Sequence, residues 1–131
     1  MEQLLILKED KGINSPIELF KNIKKINIDY NQENFILICL NTKNKIIHKE
    51  VLFKGGLNSC LIDFKTLFRS ALLNNSNSII VAHNHPSSSL TPSQEDIKIY
   101  DYLKKGCEIL NLKILDSIIF NKKEFYSLND N

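Results

Sequence analysis

The chain has 131 residues, 43% hydrophobic and 24% charged, with 17 basic and 15 acidic side chains for a net charge of +2. These values exclude a disordered, collagenous or disulfide-scaffold protein and fit one domain able to bury a core without cross-links. The best apolar run, Phe35 to Leu40, falls far short of the roughly 20 residues of a membrane helix.

The start, Met1-Glu2-Gln3, is acidic where a signal peptide is basic, so a cytoplasmic protein is expected. Arg69 is the only arginine, and no dense basic patch is visible, so nucleic acid is not the expected partner. Cys39, Cys60 and Cys107 are odd in number and lack C-x-x-C spacing. They read as buried, reduced thiols rather than a disulfide framework or a cysteine zinc site.

In chain order, Leu4 to Leu7 is a short strand candidate. Ser15-Pro16-Ile17-Glu18 is a capping box with proline at the first helical position, opening a helix to about Lys25. Glu33 to Leu40 reads as a buried strand, Asn41 to Asn44 as a turn, and Ile46 to Lys54 as the return strand, closed by Gly55-Gly56. Asp63 caps a helix to about Asn74. Ser78 to Ala82 is a short apolar strand, followed by the polar loop Ser87 to Leu90. Thr91-Pro92-Ser93-Gln94 reads as a second capping box, with Pro92 as first helical residue and a helix to at least Lys105; Gly106 either ends it or sits inside it. Lys113 to Phe120 is another strand and Glu124 to Leu128 a last one. Strands alternating with helices predict an α/β sandwich around a mixed sheet.

The chemistry sits between His83 and Asp96. In an extended chain, residues two apart share a face, so His83 and His85 can reach one metal ion. Ser93 and Asp96 are three apart at a helix start and share a helix face. Two histidines and an aspartate make a three-ligand zinc site with a fourth position open to water. Zinc lowers the pKa of such a water to about 7. Ser93 is placed to donate to a developing oxyanion. Glu50, an acid in the apolar strand Ile46 to Lys54, is the candidate base. Each residue alone has a plainer reading, as a core histidine, a helix cap or a solvated strand residue. The combined spacing, His-x-His with Ser-x-x-Asp after it, is what carries the argument.

That spacing resembles the JAMM (JAB/MPN+) zinc metalloprotease signature. Glu50 to Gly55, Ile79 to Ser87, Thr91 to Asp96 and Leu115-Asp116 are similar to its RadC branch, over roughly residues 15 to 128. The resemblance implies a single JAB/MPN-type, cytidine-deaminase-like three-layer fold. It implies one zinc per chain held by His83, His85 and Asp96, with Glu50 as general base and Ser93 stabilising the tetrahedral intermediate. It also implies hydrolysis of a peptide or isopeptide bond in a peptide or protein substrate, as in members that cut beside ubiquitin-like tails. Two alternatives stay open: a DNA-repair-associated or nucleic-acid-processing role, as the RadC label suggests, and a non-catalytic interaction module. No helix-hairpin-helix module is expected in a chain of this length.

Two positions depart from the RadC pattern: Ser88 where glycine is usual, and Ser117 where histidine is usual. His-Glu-x-x-His and the deaminase cysteine pair are absent. Among lesser candidates, His48 either lines the site or lies on the surface. Asp116 either orients a ligand histidine or is a polar strand residue. Ser87 to Ser89 is either a flap or a plain loop. Lys21, Lys24, Lys25, Lys104 and Lys105 read as solvated helix residues.

Overall fold

The computed structural model describes residues 13, 15–55 and 62–129. The expected strand Leu4 to Leu7, Gly56 and Cys60 lie outside the described residues. Three helices and five strands follow in the order α1 (Pro16–Ile23), β1 (Asn34–Leu40), β2 (Ile46–Lys54), α2 (Phe64–Leu73), β3 (Ser78–Asn84), α3 (Gln94–Ile109), β4 (Lys113–Phe120) and β5 (Phe125–Ser127).

The strands form one mixed sheet in the order β2-β1-β3-β4-β5. β3 and β4 run parallel, joined by α3 as a crossover; the other pairs are antiparallel. β1 and β3 are buried along their whole length, as continuous apolar runs in a sheet covered on both faces should be. On one face, Phe35, Leu37, Ile79 and Val81 pack with Leu67 and Ala71 of α2 and with Ile99 and Leu103 of α3. On the other, Ile36, Ile38, Ile80 and Ala82 pack with Leu19, Phe20 and Ile23 of α1. The result is the three-layer α/β arrangement expected from the strand and helix order.

Local chemistry explains the boundaries. Ser15 caps α1 by accepting the Glu18 N–H, and Asp63 caps α2 by accepting the N–H groups of Lys65 and Thr66. α3 starts two residues later than expected: Ser93, not Thr91, is its cap, and Pro92 stands before the cap rather than inside the helix. The reason is reciprocal bonding, because Ser93 Oγ accepts the Asp96 N–H while the Asp96 carboxylate accepts the Ser93 N–H. α3 also passes through Gly106 to Ile109. A Cβ at Gly106 would come within 2.4 Å of the Phe68 ring, so glycine there lets α2 approach α3 closely.

Cys39 and Cys107 are buried free thiols, and burial pushes the Cys107 thiol up to about 11. Among the described residues no helix is long and apolar enough to cross a membrane.

Leu37 is fully buried between sheet and helices. Leu37→Ala is expected to cost about 2–5 kcal/mol in denaturant unfolding. Cys107 is expected to resist alkylation near neutral pH in the folded chain and to react once denaturant unfolds it.

Candidate metal centre

β3 is the middle strand of the sheet, and the expected strand end at Ala82 is extended by two residues to Asn84. The extra pairing of His83 with Phe35 on β1 and Ile119 on β4 fixes the His83 backbone on both sides. Its ring stacks on Phe35, with centroids 6.1 Å apart and planes 15° off parallel. Pro86 follows, without an N–H to extend the ladder.

Asn84, between the two histidines, acts as an anchor. It is buried, its Oδ1 accepts the Asn34 backbone N–H at 2.9 Å, and its Nδ2 donates to Gln32 O at 3.0 Å. The end of β3 is thus bound to the start of β1 through a side chain.

The loop after Pro86 turns through Ser88, whose φ is +67°, and the Ser88 N–H donates to His85 O. His85 Nδ1 lies 3.0 Å from Ser89 O. A carbonyl can only accept, so this contact keeps a proton on Nδ1, and Nε2 is the nitrogen that a metal would take, in place of its bond to Asp96. Ser88 O in turn accepts from Asn121 Nδ2 at 3.0 Å. The serine segment is therefore bonded in place and supports His85, rather than forming a loose flap.

Asp96 meets the two rings from the first turn of α3. His83 Nε2 lies 2.8 Å from Asp96 Oδ1, and His85 Nε2 lies 3.1 Å from Asp96 Oδ2. All three ligand atoms fall within 4.8 Å of one another. Burial alone would raise the Asp96 carboxyl, but the adjacent His83 and His85 rings and the Ser93 N–H carry it well below the usual carboxylate range. Its partner His85 is raised, first by its bond to Asp96.

The donor set fits a cation. His83 is buried, and the partner of its Nε2 is the Asp96 carboxylate 2.8 Å away. Two imidazole nitrogens converging on one carboxylate are a donor set that a metal ion shared by His83 Nε2, His85 Nε2 and Asp96 would suit.

The structure thus brings together His83, His85, Asp96 and Ser93. The Ser93 hydroxyl accepts the Asp96 N–H and remains exposed at the edge of the cluster, with its own hydrogen free to donate. Glu50 is elsewhere. It pairs with Leu37, two strands from β3, in the row of Val81 rather than of His83. Ser70 Oγ donates to Glu50 Oε1, and His48 Nε2 lies 2.9 Å from the same oxygen. The Ser70 bond holds the Glu50 carboxyl below its ordinary value; partial burial opposes this and His48 adds to it. His48 is accordingly a partner of Glu50.

Asp116 pairs with Ile80 on the α1 side and accepts from Ser127 Oγ, Ser117 N and Asn129 N. Ser117 pairs with Val81 and is buried. Lys24 lies 5.4 Å from the Phe20 ring centroid, and Lys104 lies 4.5 Å from that of Tyr100.

Sequence reasoning missed Glu33. Glu33 stands one residue before β1, which pairs with β3 as far as Phe35 and His83. His85 is raised first by Asp96, and the Glu33 charge adds to this. The available signal was an acid two residues before the strand position that pairs with a ligand histidine.

The family described as RadC-like JAB domain matches residues 13–131. A UPF0758 protein of Staphylococcus haemolyticus is 40% identical over 116 residues, covering 88% of this chain and 51% of its own length. One from Clostridium perfringens is 46% identical over 99 residues, covering 76% of this chain and 44% of its own. One from Methanosarcina barkeri is 40% identical over 99 residues, covering 76% and 43%. The chain spans about half the length of the curated relatives it matches. None of these names states an activity.

Asn84→Leu removes the anchor while sparing every ligand. It is expected to weaken metal binding about 10–100-fold, as loss of a ligand-orienting group does, in a competition titration against a chromogenic chelator. Ser88→Val, a β-branched residue at positive φ, is expected to cost about 1–3 kcal/mol in thermal unfolding, and Ser88→Gly to cost little.

Proposed function

The chain belongs to the RadC-like JAB domain family, and we propose that it is a zinc-dependent hydrolase acting on a peptide or isopeptide bond. One observation carries this reading: three ligand atoms of His83, His85 and Asp96 lie within 4.8 Å of one another at the buried end of β3. Nitrogen and oxygen donors in a set of three suit a catalytic zinc site. Bound there, zinc would supply a Lewis acid for a carbonyl and make a nucleophile of water at neutral pH.

The remaining steps fall to the chain. His83, His85 and Asp96 hold the metal, with His85 oriented by Ser89. Ser93 donates its hydroxyl hydrogen to the substrate oxygen as negative charge grows there. A carboxylate must take a proton from water and give it to the leaving amine, and its pKa must suit operation near neutrality. Glu33, whose charge is felt at His85, is the better candidate. Glu50, held more acidic than usual and bound to Ser70 of α2 and to His48, serves on this reading to tie α2 to β2. The cytoplasm remains the proposed location, and a peptide or protein chain the proposed partner.

Two measurements test this. Elemental analysis should find about one zinc per wild-type chain and little in Asp96→Ala; a wild-type chain that takes up no zinc when supplied with it would sink the reading. On a panel of peptide and ubiquitin-like isopeptide substrates, Glu33→Gln should keep zinc and lose roughly 10²-fold or more in turnover, while Glu50→Gln keeps both. The reverse pattern would return the proton-transfer role to Glu50.

A further inference from the structure

His85 has a second neighbourhood besides Asp96. Beside it opens a cavity of about 370 Å³, walled by Tyr30 on one side and on another by the β4–β5 turn with Lys122, Lys123 and Glu124. Asn121 fixes this turn to the His85 loop. Its Oδ1 accepts the N–H groups of Lys123 and Glu124 at 2.8 and 2.7 Å, and its Nδ2 donates to Ser88 O at 3.0 Å. The next residue, Ser89, holds His85 Nδ1. The lysines therefore stand at a set offset from a metal ligand. Lys122 Nζ also lies 5.4 Å from the Tyr30 ring centroid, which steadies one cation at the wall. Among the described residues neither lysine forms an ion pair.

We propose that this cavity is a substrate subsite for a peptide carboxylate, either the C-terminal one or that of an acidic side chain next to the scissile bond. The proposal rests on the hydrolase reading for its role, because a carboxylate held here would lie beside the metal centre. Two lysines opposed by one glutamate leave a single positive charge to satisfy. That balance suits a monoanionic carboxylate better than a phosphate dianion. The amide group of Asn31, which also lines the cavity, can bond the adjoining peptide unit.

The test uses the full, metal-free chain, so that it does not depend on turnover. Backbone amide signals are followed by NMR during titration with acetyl-Gly-Gly bearing a free C-terminal carboxylate, with acetyl-Gly-Gly amide, with acetyl-Asp-Gly amide and with inorganic phosphate. The expected result is saturable shifts at Ser88, Lys123 and Glu124 with one of the two carboxylate probes. Which probe binds identifies the source of the carboxylate. Acetyl-Gly-Gly amide should bind at least tenfold more weakly, and Lys122→Ala with Lys123→Ala should weaken the carboxylate by a similar factor. Equal binding of acid and amide, no loss in the double variant, no shift with either carboxylate, or tighter binding of phosphate would each overturn the proposal. Carboxylate binding by a chain that takes up no zinc would support the subsite and sink the hydrolase reading, so the two can fail separately.

Discussion

The site depends on one hydrogen bond, from the Ser93 backbone N–H to Asp96 Oδ2 at 2.7 Å. A helix N-terminus carries unpaired N–H groups and a positive end of its dipole, so a carboxylate in the first turn is favoured there. In α3 that carboxylate also faces His83 and His85. The capping interaction therefore does two jobs: it starts the helix at Gln94 and it sets the direction of the Asp96 oxygens. Had Thr91 been the cap, the first turn would begin two residues earlier and Asp96 would lie in the second turn. Its side chain would then be rotated away from the strand end and its Ser93 bond lost. The position of the metal site and the position of the helix start are one constraint.

The opposing half of the site is held by side-chain amides rather than by the ladder. Asn84 binds β3 to Asn34 and Gln32, and Asn121 binds the β4–β5 turn to Ser88. Both work where strands have ended and backbone partners have run out. The Asn84 amide is buried and would be costly unpaired, so it persists as a specific geometric lock. Between them runs the short chain His85 to Ser89, bent through a positive φ at Ser88. A residue with a side chain in that conformation is strained, and here the bonds from Asn121 and to His85 hold it there.

Much of this was legible before any coordinates. Continuous apolar runs announced β1 and β3, and the spacing of His83, His85, Ser93 and Asp96 announced the cluster, because period-two and period-three geometry are local properties of the chain. The cap of α3 was misread because Thr91-Pro92 and Ser93-Gln94 carry competing start signals; the reach of the Asp96 side chain back to Ser93 decides between them. Glu50 was singled out for being an acid in an apolar strand. Its partner Ser70 lies twenty residues away on α2, and no local pattern predicts that contact. Glu33 went unnoticed for the same reason in reverse: its relation to His85 passes through antiparallel pairing across 52 residues of sequence.

The comparison of the two glutamates also follows from sheet geometry. Neighbouring strands lie about 4.8 Å apart and residues two apart along a strand about 6.6 Å. Glu50 is separated from His83 by both a second strand and a step along the ladder, a distance of roughly 12 Å between backbones. A glutamate side chain covers only a fraction of that, and its carboxylate is held by Ser70 of α2 and by His48 of its own strand. Glu33 stands one residue before β1, the strand beside β3, and its charge is felt at His85. On the proposed hydrolase reading, this shorter reach favours Glu33 over Glu50 as the group that exchanges a proton with water, and Asn84 fastens the start of β1 to the end of β3.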